Sequence, residues 1–189
     1  MSSVATIKRN IIPPHLEVKG GRPLSGVLKV SGAKNSSLAL MAASLLTKEK
    51  LLIKNVPQLT DIEVMSEILR NLGAKLTKTN NSIEINSESI HNVELPYELV
   101  HRLRASFFCV GPLLTRLGEA KIPLPGGCNI GARPVDEHIN GLKALGAEVE
   151  VINDVVKAKV STKDKRLLGA NITLKYPSVG ATETILMAS

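Results

Sequence analysis

The chain has 189 residues, enough for one domain or two small ones, and it is basic, with a formal net charge of +7. Two Phe, two Tyr and no Trp are a poor supply of rings for stacking on single-stranded nucleic acid, so a nucleic-acid partner is not favoured. No apolar run reaches the length of a membrane span, and the two cysteines suggest no disulfide framework. We therefore expect a cytoplasmic protein that meets small anionic ligands rather than a membrane.

The first predicted elements form a strand–turn–helix junction. A strand over Val27–Val30 leads through Ser31-Gly32-Ala33-Lys34-Asn35-Ser36 into a largely apolar helix over Asn35–Leu46, and a strand over Leu51–Lys54 follows. A helix N-terminus offers unpaired N–H groups to an anion, and Lys34 adds a charge there. Such junctions are common without any ligand, so the junction alone is a weak indication of an anion site.

The next elements are predicted by periodicity and by turn residues. Apolar residues at helical spacing predict a helix over Asp61–Leu72, with Thr60 and Glu63 at capping-box spacing and Gly73 as its C-terminal cap. Lys75–Thr79 and Ser82–Asn86 then predict a β-hairpin. These apolar positions have the spacing of a core-facing stripe, and we assign them no ligand.

A second series of elements follows in the same order. We predict a helix over Tyr97–Arg116 that is disturbed near Pro112, and then a strand over Ala120–Leu124. A helix over Asp136–Leu145 and a hairpin across Asn153-Asp154 complete the series.

Short sequences recur along the chain and indicate an internal repeat. Leu72-Gly73-Ala74 returns as Leu145-Gly146-Ala147, and residues 180–189 resemble residues 32–44. We therefore expect an N-terminal segment over 1–24, a first repeat over 25–95, a second over 96–165, and the start of a third over 166–189. Because the third copy stops within a helix that should be buried, we expect a fragment of a longer protein or the product of a truncated gene.

The second repeat carries a longer loop, which holds the most informative residues of the chain. Pro125-Gly126-Gly127-Cys128-Asn129-Ile130-Gly131-Ala132-Arg133-Pro134-Val135-Asp136 places a cysteine among glycines, with an arginine five residues later. Arg133 can grip phosphate or carboxylate, and a nearby cation favours the reactive thiolate of Cys128. The alternative is an ordinary tight turn with a buried thiol.

The remaining candidates carry little signal by themselves. By its local sequence alone Arg104 is more often a solvated surface residue than a ligand-binding one, and Cys109 lies among apolar neighbours and is assigned to the core. His101 and His138 have no metal-ligand spacing, so we expect no metal, and His138 is taken to pack near the start of its helix. No G-x-G-x-x-G follows a strand, so no dinucleotide cofactor is expected.

Taken together, five segments resemble the UDP-N-acetylglucosamine 1-carboxyvinyltransferases, a family of enolpyruvyl transferases. They are Ser31–Asn35, Asn55–Pro57, Leu103–Ser106, Pro125–Asp136 and Ser178–Thr182, and they occur in family order from about Leu16 to the last residue. The resemblance implies an α/β (α+β) fold, namely one lobe of an inside-out α/β barrel built from repeated βαβαββ units, here with a truncated third repeat. The related shikimate-pathway enolpyruvyl transferase shares that fold but lacks the cysteine loop.

The resemblance also implies an activity. Family members transfer enolpyruvate from phosphoenolpyruvate to the 3′-hydroxyl of UDP-N-acetylglucosamine and release phosphate, without a cofactor. This is the first committed step of peptidoglycan synthesis, and thus of cell-wall growth and division. The substrates bind between two lobes, so we expect the isolated chain to be inactive without the C-terminal lobe. The alternative is a non-catalytic remnant, or a partial UDP-sugar or anion-binding module.

Residue roles follow from the resemblance position by position. Cys128 matches the loop cysteine that attacks phosphoenolpyruvate and acts as a general acid, and Lys34 and Arg133 match the positions that hold its phosphate and carboxylate. The positions that match the lining of the UDP-sugar site are Asn35, Arg104, Pro134, Val135, Asp136, Ser178, Val179 and Gly180. Two residues depart from the family pattern: Glu137 stands where an apolar residue is frequent, and Tyr176 where some members have lysine.

Overall fold

A computed structural model describes residues 16–125, 134–162 and 166–189 of the chain. The chain divides into two compact units, Met1–Val30 and Ser31–Ser189. Residues 16–30, the described part of the first unit, contain no helix or strand, and Val27 is fully exposed. The predicted strand over Val27–Val30 is therefore wrong, because a strand forms only where a neighbouring strand pairs its N–H and C=O groups.

The second unit begins with a helix-and-sheet module whose elements follow the predicted order. Helix α1 spans Lys34–Ala43 and continues as a 3₁₀ turn over Ser44–Leu46, strand β1 spans Lys50–Lys54, and helix α2 spans Thr60–Asn71. Strands β2 (Lys75–Lys78) and β3 (Ser82–Asn86) form the expected hairpin. The antiparallel sheet has the order β1-β3-β2, and its register sets Leu51 opposite Ile85 and Ile85 opposite Leu76.

The second module has the same layout. It contains helices α3 (Tyr97–Arg102), α4 (Val110–Leu117) and α5 (Asp136–Ala144), and strands β4 (Glu119–Pro123), β5 (Ala147–Ile152) and β6 (Val155–Val160). Its antiparallel sheet has the order β4-β6-β5, which is the arrangement of the first sheet. In addition, Glu94 forms a parallel bridge with Lys121, so an extended segment runs beside β4. The prediction of a repeated α/β architecture is confirmed.

The helix predicted over Tyr97–Arg116 is interrupted, but at a different place from the one expected. It breaks at Leu103, whose backbone is extended (φ −142°, ψ 101°), and a 3₁₀ helix over Arg104–Cys109 separates α3 from α4. Pro112 causes no break because it is the third residue of α4, where an N–H would have no partner within the helix.

The ends of α2 test the predicted caps. Gly73 adopts φ 103°. The N–H of Gly73 donates to the carbonyl of Arg70, and the N–H of Ala74 donates to the carbonyl of Leu69. These two bonds form a Schellman cap, so the predicted glycine cap is confirmed. The capping box is wrong: Thr60 is already helical, the N-cap is Leu59, and no side chain caps this end. The carboxylate of Glu63 pairs with Lys78 on the neighbouring strand instead.

Helix α6 (Val179–Ala188) packs against α4, α5 and the 3₁₀ helix, and two glycines allow its close approach. A Cβ on Gly111 would lie 2.5 Å from the carbonyl oxygen of Thr184, and one on Gly141 would lie 2.1 Å from Cδ1 of Ile185. The buried apolar residues of both modules form one continuous core. Within the described ranges, none of the helices combines the length and the apolar character needed to span a bilayer.

Candidate functional site

A cavity of about 500 Å³ lies where the first residues of three helices meet in the second unit. Lys34 and Asn35 begin α1, Val135 is the N-cap of α5, and Val179 and Gly180 begin α6. The other lining residues come from the helices around them: Leu38, Asp61, Arg102, Leu103, Arg104, Ala105, Phe107, Phe108, His138 and Glu183. Unpaired N–H groups and the dipoles at helix N-termini favour an anion in such a place.

Lys34 is held at the cavity by an ion pair that the sequence did not predict. Its Nζ lies 2.7 Å from Oδ2 of Asp61, near the start of α2. A cation at a helix N-terminus opposes the helix dipole, so Lys34 lies where its own helix does not favour it. Asp61 offsets this locally, and an anion in the cavity would do the same.

Arg104 opens the 3₁₀ helix and ties it to the chain just before α5. Its Nη2 donates to the carbonyl of Pro134 at 3.3 Å, and its guanidinium adds to the effect of burial, which is the main cause of the lowered pKa of His138. It therefore lines the cavity and is not the isolated surface arginine that its sequence context allowed. Arg102 and Lys34 add two further positive charges, against the carboxylates of Asp61 and Glu183.

Asp136 is the first residue of α5 and faces the segment that leads into α6. The Tyr176 hydroxyl donates to Oδ1 of Asp136 at 2.5 Å. This bond lowers the pKa of the carboxyl group and raises the pKa of Tyr176 to about 12. Beside it, the buried Glu137 accepts a hydrogen bond from the backbone N–H of Lys175 at 2.7 Å through Oε2. Two adjacent carboxylates thus fasten the segment before α6 to the start of α5.

The predicted site residues are placed as follows. Lys34, Asn35, Arg104, Val135, Val179 and Gly180 line one cavity, although they are up to 146 residues apart in the chain. Pro134 accepts a hydrogen bond from the lining residue Arg104, and Asp136 follows the lining residue Val135 in the chain. Ser178 caps α6 by accepting the N–H of Ala181 and lines a second, smaller cavity. Cys128 and Arg133 lie outside the described residues.

Four polar lining residues were not predicted from the sequence. Asp61, Arg102 and Glu183 carry no motif that would mark them, and His138 was assigned to packing alone. Burial raises the pKa of Glu183, a carboxylate on the cavity wall. Cys109 is fully buried as predicted, and burial raises the pKa of its thiol to about 12, which makes it unreactive at neutral pH.

The fold is that of the enolpyruvyl transferases. The chain matches the enolpyruvyl transferase NikO from Streptomyces tendae with a TM-score of 0.73 and 23% identity, over 89% of this chain and 39% of NikO. It also matches EPSP synthase from Acinetobacter baumannii with a TM-score of 0.65 and 15% identity, over 86% of this chain and 37% of that synthase. At these identities the likeness concerns the fold alone.

Sequence comparison gives the family. The profile described as EPSP synthase (3-phosphoshikimate 1-carboxyvinyltransferase) matches residues 18–189, so the chain belongs to the EPSP synthase family. The whole chain is 97% identical to UDP-N-acetylglucosamine 1-carboxyvinyltransferase of Prochlorococcus marinus strain NATL2A and covers 41% of that relative. A relative of that name from strain MIT 9301 is 60% identical over 175 residues, 93% of this chain and 38% of the relative. The chain therefore spans about two fifths of the length of these relatives.

Proposed function

We propose that this chain provides one wall of the substrate site of an enolpyruvyl transferase that uses phosphoenolpyruvate and UDP-N-acetylglucosamine. The observation that carries the proposal is the cavity itself, where three helix N-termini meet Lys34, Arg102 and Arg104. The names of the close relatives support the choice of substrates. In a cell the reaction belongs to the cytoplasmic phase of peptidoglycan synthesis.

Both substrates are anions, and the charges of the cavity suit them. Preorganised cations and N–H groups stabilise negative charge best in a site that excludes water, where they need no rearrangement during the reaction. Lys34 and Arg133 hold the phosphate and carboxylate of phosphoenolpyruvate. The sugar nucleotide lies along Asn35, Arg104, Pro134, Val135, Asp136, Ser178, Val179 and Gly180.

The transfer forms one bond and breaks another. The 3′ oxygen of the sugar bonds to C2 of phosphoenolpyruvate, the bond from C2 to the phosphate oxygen breaks, and the hydroxyl proton leaves with the phosphate. Cys128 attacks C2 of phosphoenolpyruvate while a proton adds to C3, and this C–S bond breaks again when C3 loses that proton. As a general acid, the same thiol protonates C3 when the 3′ oxygen adds to C2, and it recovers the proton when the phosphate leaves, which needs a thiol whose protonation changes near neutral pH. Cys109 cannot take this role because its thiol is fully buried and its pKa is raised to about 12.

Glu137 and Tyr176, the two residues that depart from the family pattern, both bond to groups around Asp136 and the segment before α6. The Tyr176 hydroxyl occupies one oxygen of the Asp136 carboxylate, and Glu137 fixes the backbone at Lys175. We infer that these bonds set the position of Ser178 and of the first turn of α6 before the sugar nucleotide arrives, so that less order has to be created on binding.

Binding to the 189-residue chain is the first test. Amide chemical shifts measured during titration with UDP-N-acetylglucosamine should change at Asn35 and Gly180, and Lys34→Met should weaken the binding of phosphoenolpyruvate. Lys48→Met is the matched control, because Lys48 is exposed and does not line the cavity. Equal effects of the two substitutions would contradict the assignment of Lys34.

Turnover is the second test. Phosphate release from phosphoenolpyruvate is measured with and without UDP-N-acetylglucosamine, for this chain and for the full-length NATL2A relative, each beside the variant with alanine at Cys128 or its aligned position. Release by the relative that needs both the sugar nucleotide and this cysteine supports the proposed reaction. Binding without release by the 189-residue chain would make it a binding module, and no binding of either substrate would refute the proposal.

A further inference from the structure

The ring of His138 is held by two contacts at the edge of the cavity. Its Nδ1 lies 2.9 Å from Oγ1 of Thr184 on α6, and its ring meets that of Phe107 edge-on, with the centroids 4.7 Å apart. Only 6% of the residue is exposed, yet it lines the cavity. A buried imidazole needs a hydrogen-bond partner whatever its role, so it is the opening to the cavity that distinguishes His138 from a histidine packed only in the core.

The hydrogen bond to Thr184 determines where the ring carries its proton. Thr184 is fully buried, and in the described part of the chain its hydroxyl meets no acceptor other than Nδ1 of His138. If Nδ1 carried the proton, it would donate to Oγ1, and the hydroxyl hydrogen would be buried without an acceptor, which is costly. If Thr184 donates to Nδ1, both groups are satisfied, and the remaining ring proton lies on Nε2.

The Nε2 edge of the ring lies beside the first turn of α6. A Cβ added to Gly180 would be 3.3 Å from Nε2 and 3.3 Å from Cε1, so the glycine lets the helix backbone approach this edge. Gly180 and His138 both line the cavity, together with Lys34 and Arg104. No hydrogen-bond partner of Nε2 is found among the described residues, and its proton is available to a ligand.

Resting on the proposed function, we infer that His138 is a further ligand-binding residue of this site, in which Nε2–H donates a hydrogen bond to an acceptor oxygen of the bound anionic substrate. Thr184 is the positioning residue that fixes the tautomer from behind the ring. The contact is a neutral hydrogen bond, and it complements the charged contacts made by Lys34 and Arg104.

The surroundings keep the imidazole neutral. Burial, helped by the Arg104 guanidinium and opposed by the Asp136 carboxylate, lowers the pKa of His138 to about 4. At neutral pH the ring therefore has one proton, and the Thr184 bond leaves it on Nε2. A charged imidazolium would place a proton on each nitrogen, and Nδ1 could no longer accept from the threonine.

The first experiment needs no ligand and no variant. A long-range ¹H–¹⁵N spectrum of the ¹⁵N-labelled chain reports which nitrogen of His138 carries the proton, and we expect Nε2–H at pH 7. Thr184→Val should convert the ring to a mixture of tautomers, whereas Thr182→Val should not, because the Thr182 hydroxyl donates to the Ser178 carbonyl instead. An Nδ1–H tautomer in the unsubstituted chain would overturn the inference.

The second experiment adds UDP-N-acetylglucosamine, phosphoenolpyruvate and inorganic phosphate in separate titrations. We expect at least one probe to shift the Nε2–H resonance and to slow its exchange with water. A shift with phosphate identifies an anionic oxygen as the acceptor, and a shift with the sugar nucleotide alone identifies an oxygen of that ligand. His138→Leu should weaken binding of that probe about three- to tenfold, the usual effect of a lost neutral hydrogen bond, and His138→Gln should restore part of it.

The outcomes separate this inference from the proposed function. If a probe shifts the amides of Asn35 and Gly180 but leaves Nε2–H unchanged, the site binds its ligand and the role of His138 is wrong. If no probe shifts any of these signals, both the proposed function and the role of His138 are wrong.

Discussion

Gly32 lies two residues before Lys34, and its backbone is tightly packed against the backbone of Asn55. Replacing Gly32 therefore tests the geometry of the site. A Cβ at Gly32 would lie 1.6 Å from the carbonyl oxygen of Asn55 and 2.9 Å from its carbonyl carbon. Asn55 adopts a left-handed φ of 57°, and the N–H of the next residue, Val56, bonds to Asn81 at 2.8 Å. The obstacle is therefore backbone that is itself held in place, and no side-chain rotation relieves it.

The size of the effect follows from the distances. Real Cβ atoms essentially never come closer than 3.0 Å, so Gly32→Ala requires a separation of about 1.4 Å beyond the 1.6 Å present. Overpacking of this kind costs about 1–3 kcal/mol of stability. For a chain of this size each kcal/mol lowers Tm by about 2–4 °C, so a fall of roughly 2–12 °C is expected. Because Lys34 follows two residues later, its Nζ should also leave the 2.7 Å pair with Asp61.

The assay compares thermal unfolding and phosphoenolpyruvate binding for Gly32→Ala and Gly169→Ala. Gly169 has no atom within 4 Å of an added Cβ and no positive φ, so its replacement should not destabilise the chain. Asn55→Gly in the Gly32→Ala background should give no rescue, since the clash is with a main-chain carbonyl. Equal stability and equal binding of the two single variants would refute the close approach of Gly32 and Asn55.

Four further predictions concern other parts of the second unit. Gly111→Ala should destabilise the chain more than Gly141→Ala in denaturant unfolding. The methyl added at Gly111 meets the backbone of α6, whereas the methyl added at Gly141 meets only the movable end of the Ile185 side chain. The reverse order of stability would contradict the packing of α6. His138 has a pKa of about 4 in the folded chain and of 6.5 in the unfolded chain, so between these pH values the unfolded state binds more protons. The free energy of unfolding therefore rises with pH over this window, by up to about 3 kcal/mol. His138→Gln should lose this part of the pH dependence, and an unchanged profile would show that another group causes it. Iodoacetamide at neutral pH should leave Cys109 unmodified in the folded chain, so that a Cys128→Ala variant takes up no label before denaturation. Asp61→Asn should strengthen binding of inorganic phosphate, because the Lys34 charge is then no longer shared with a carboxylate, whereas weaker binding would mean that Asp61 chiefly positions the lysine.

Local patterns in the sequence determined most of the second unit. Apolar residues at helical spacing fixed α2, and the turn residues Asn80-Asn81 and Asn153-Asp154 fixed both hairpins. Asn153 and Asp154 adopt φ of 51° and 59°, as a tight hairpin turn requires. The Gly73 cap was readable because few residues other than glycine adopt its φ of 103°. Repeated short sequences were enough to predict two similar modules, and five short motifs were enough for the family resemblance.

Where local patterns failed, a competing interaction was stronger. The break at Leu103 has no local breaker residue, and Pro112 was a misleading one, because its effect depends on its position within the helix. The Thr60–Glu63 capping box did not form, and Glu63 pairs with Lys78, which is distant in sequence and adjacent in space. The predicted strand over Val27–Val30 had strand-like residues, but a strand also needs a partner, which sequence cannot supply.

The motifs of the candidate site were visible in the sequence, and only the tertiary structure brought them together. Lys34, Arg104 and Gly180 belong to three helical segments whose N-terminal ends meet because the helices pack on one core. The partners that set their chemistry, Asp61 for Lys34 and Thr184 for His138, follow no sequence spacing. Charge pairing, burial and tautomer depend on distance in space, and local sequence determines only which side chains are available to take part.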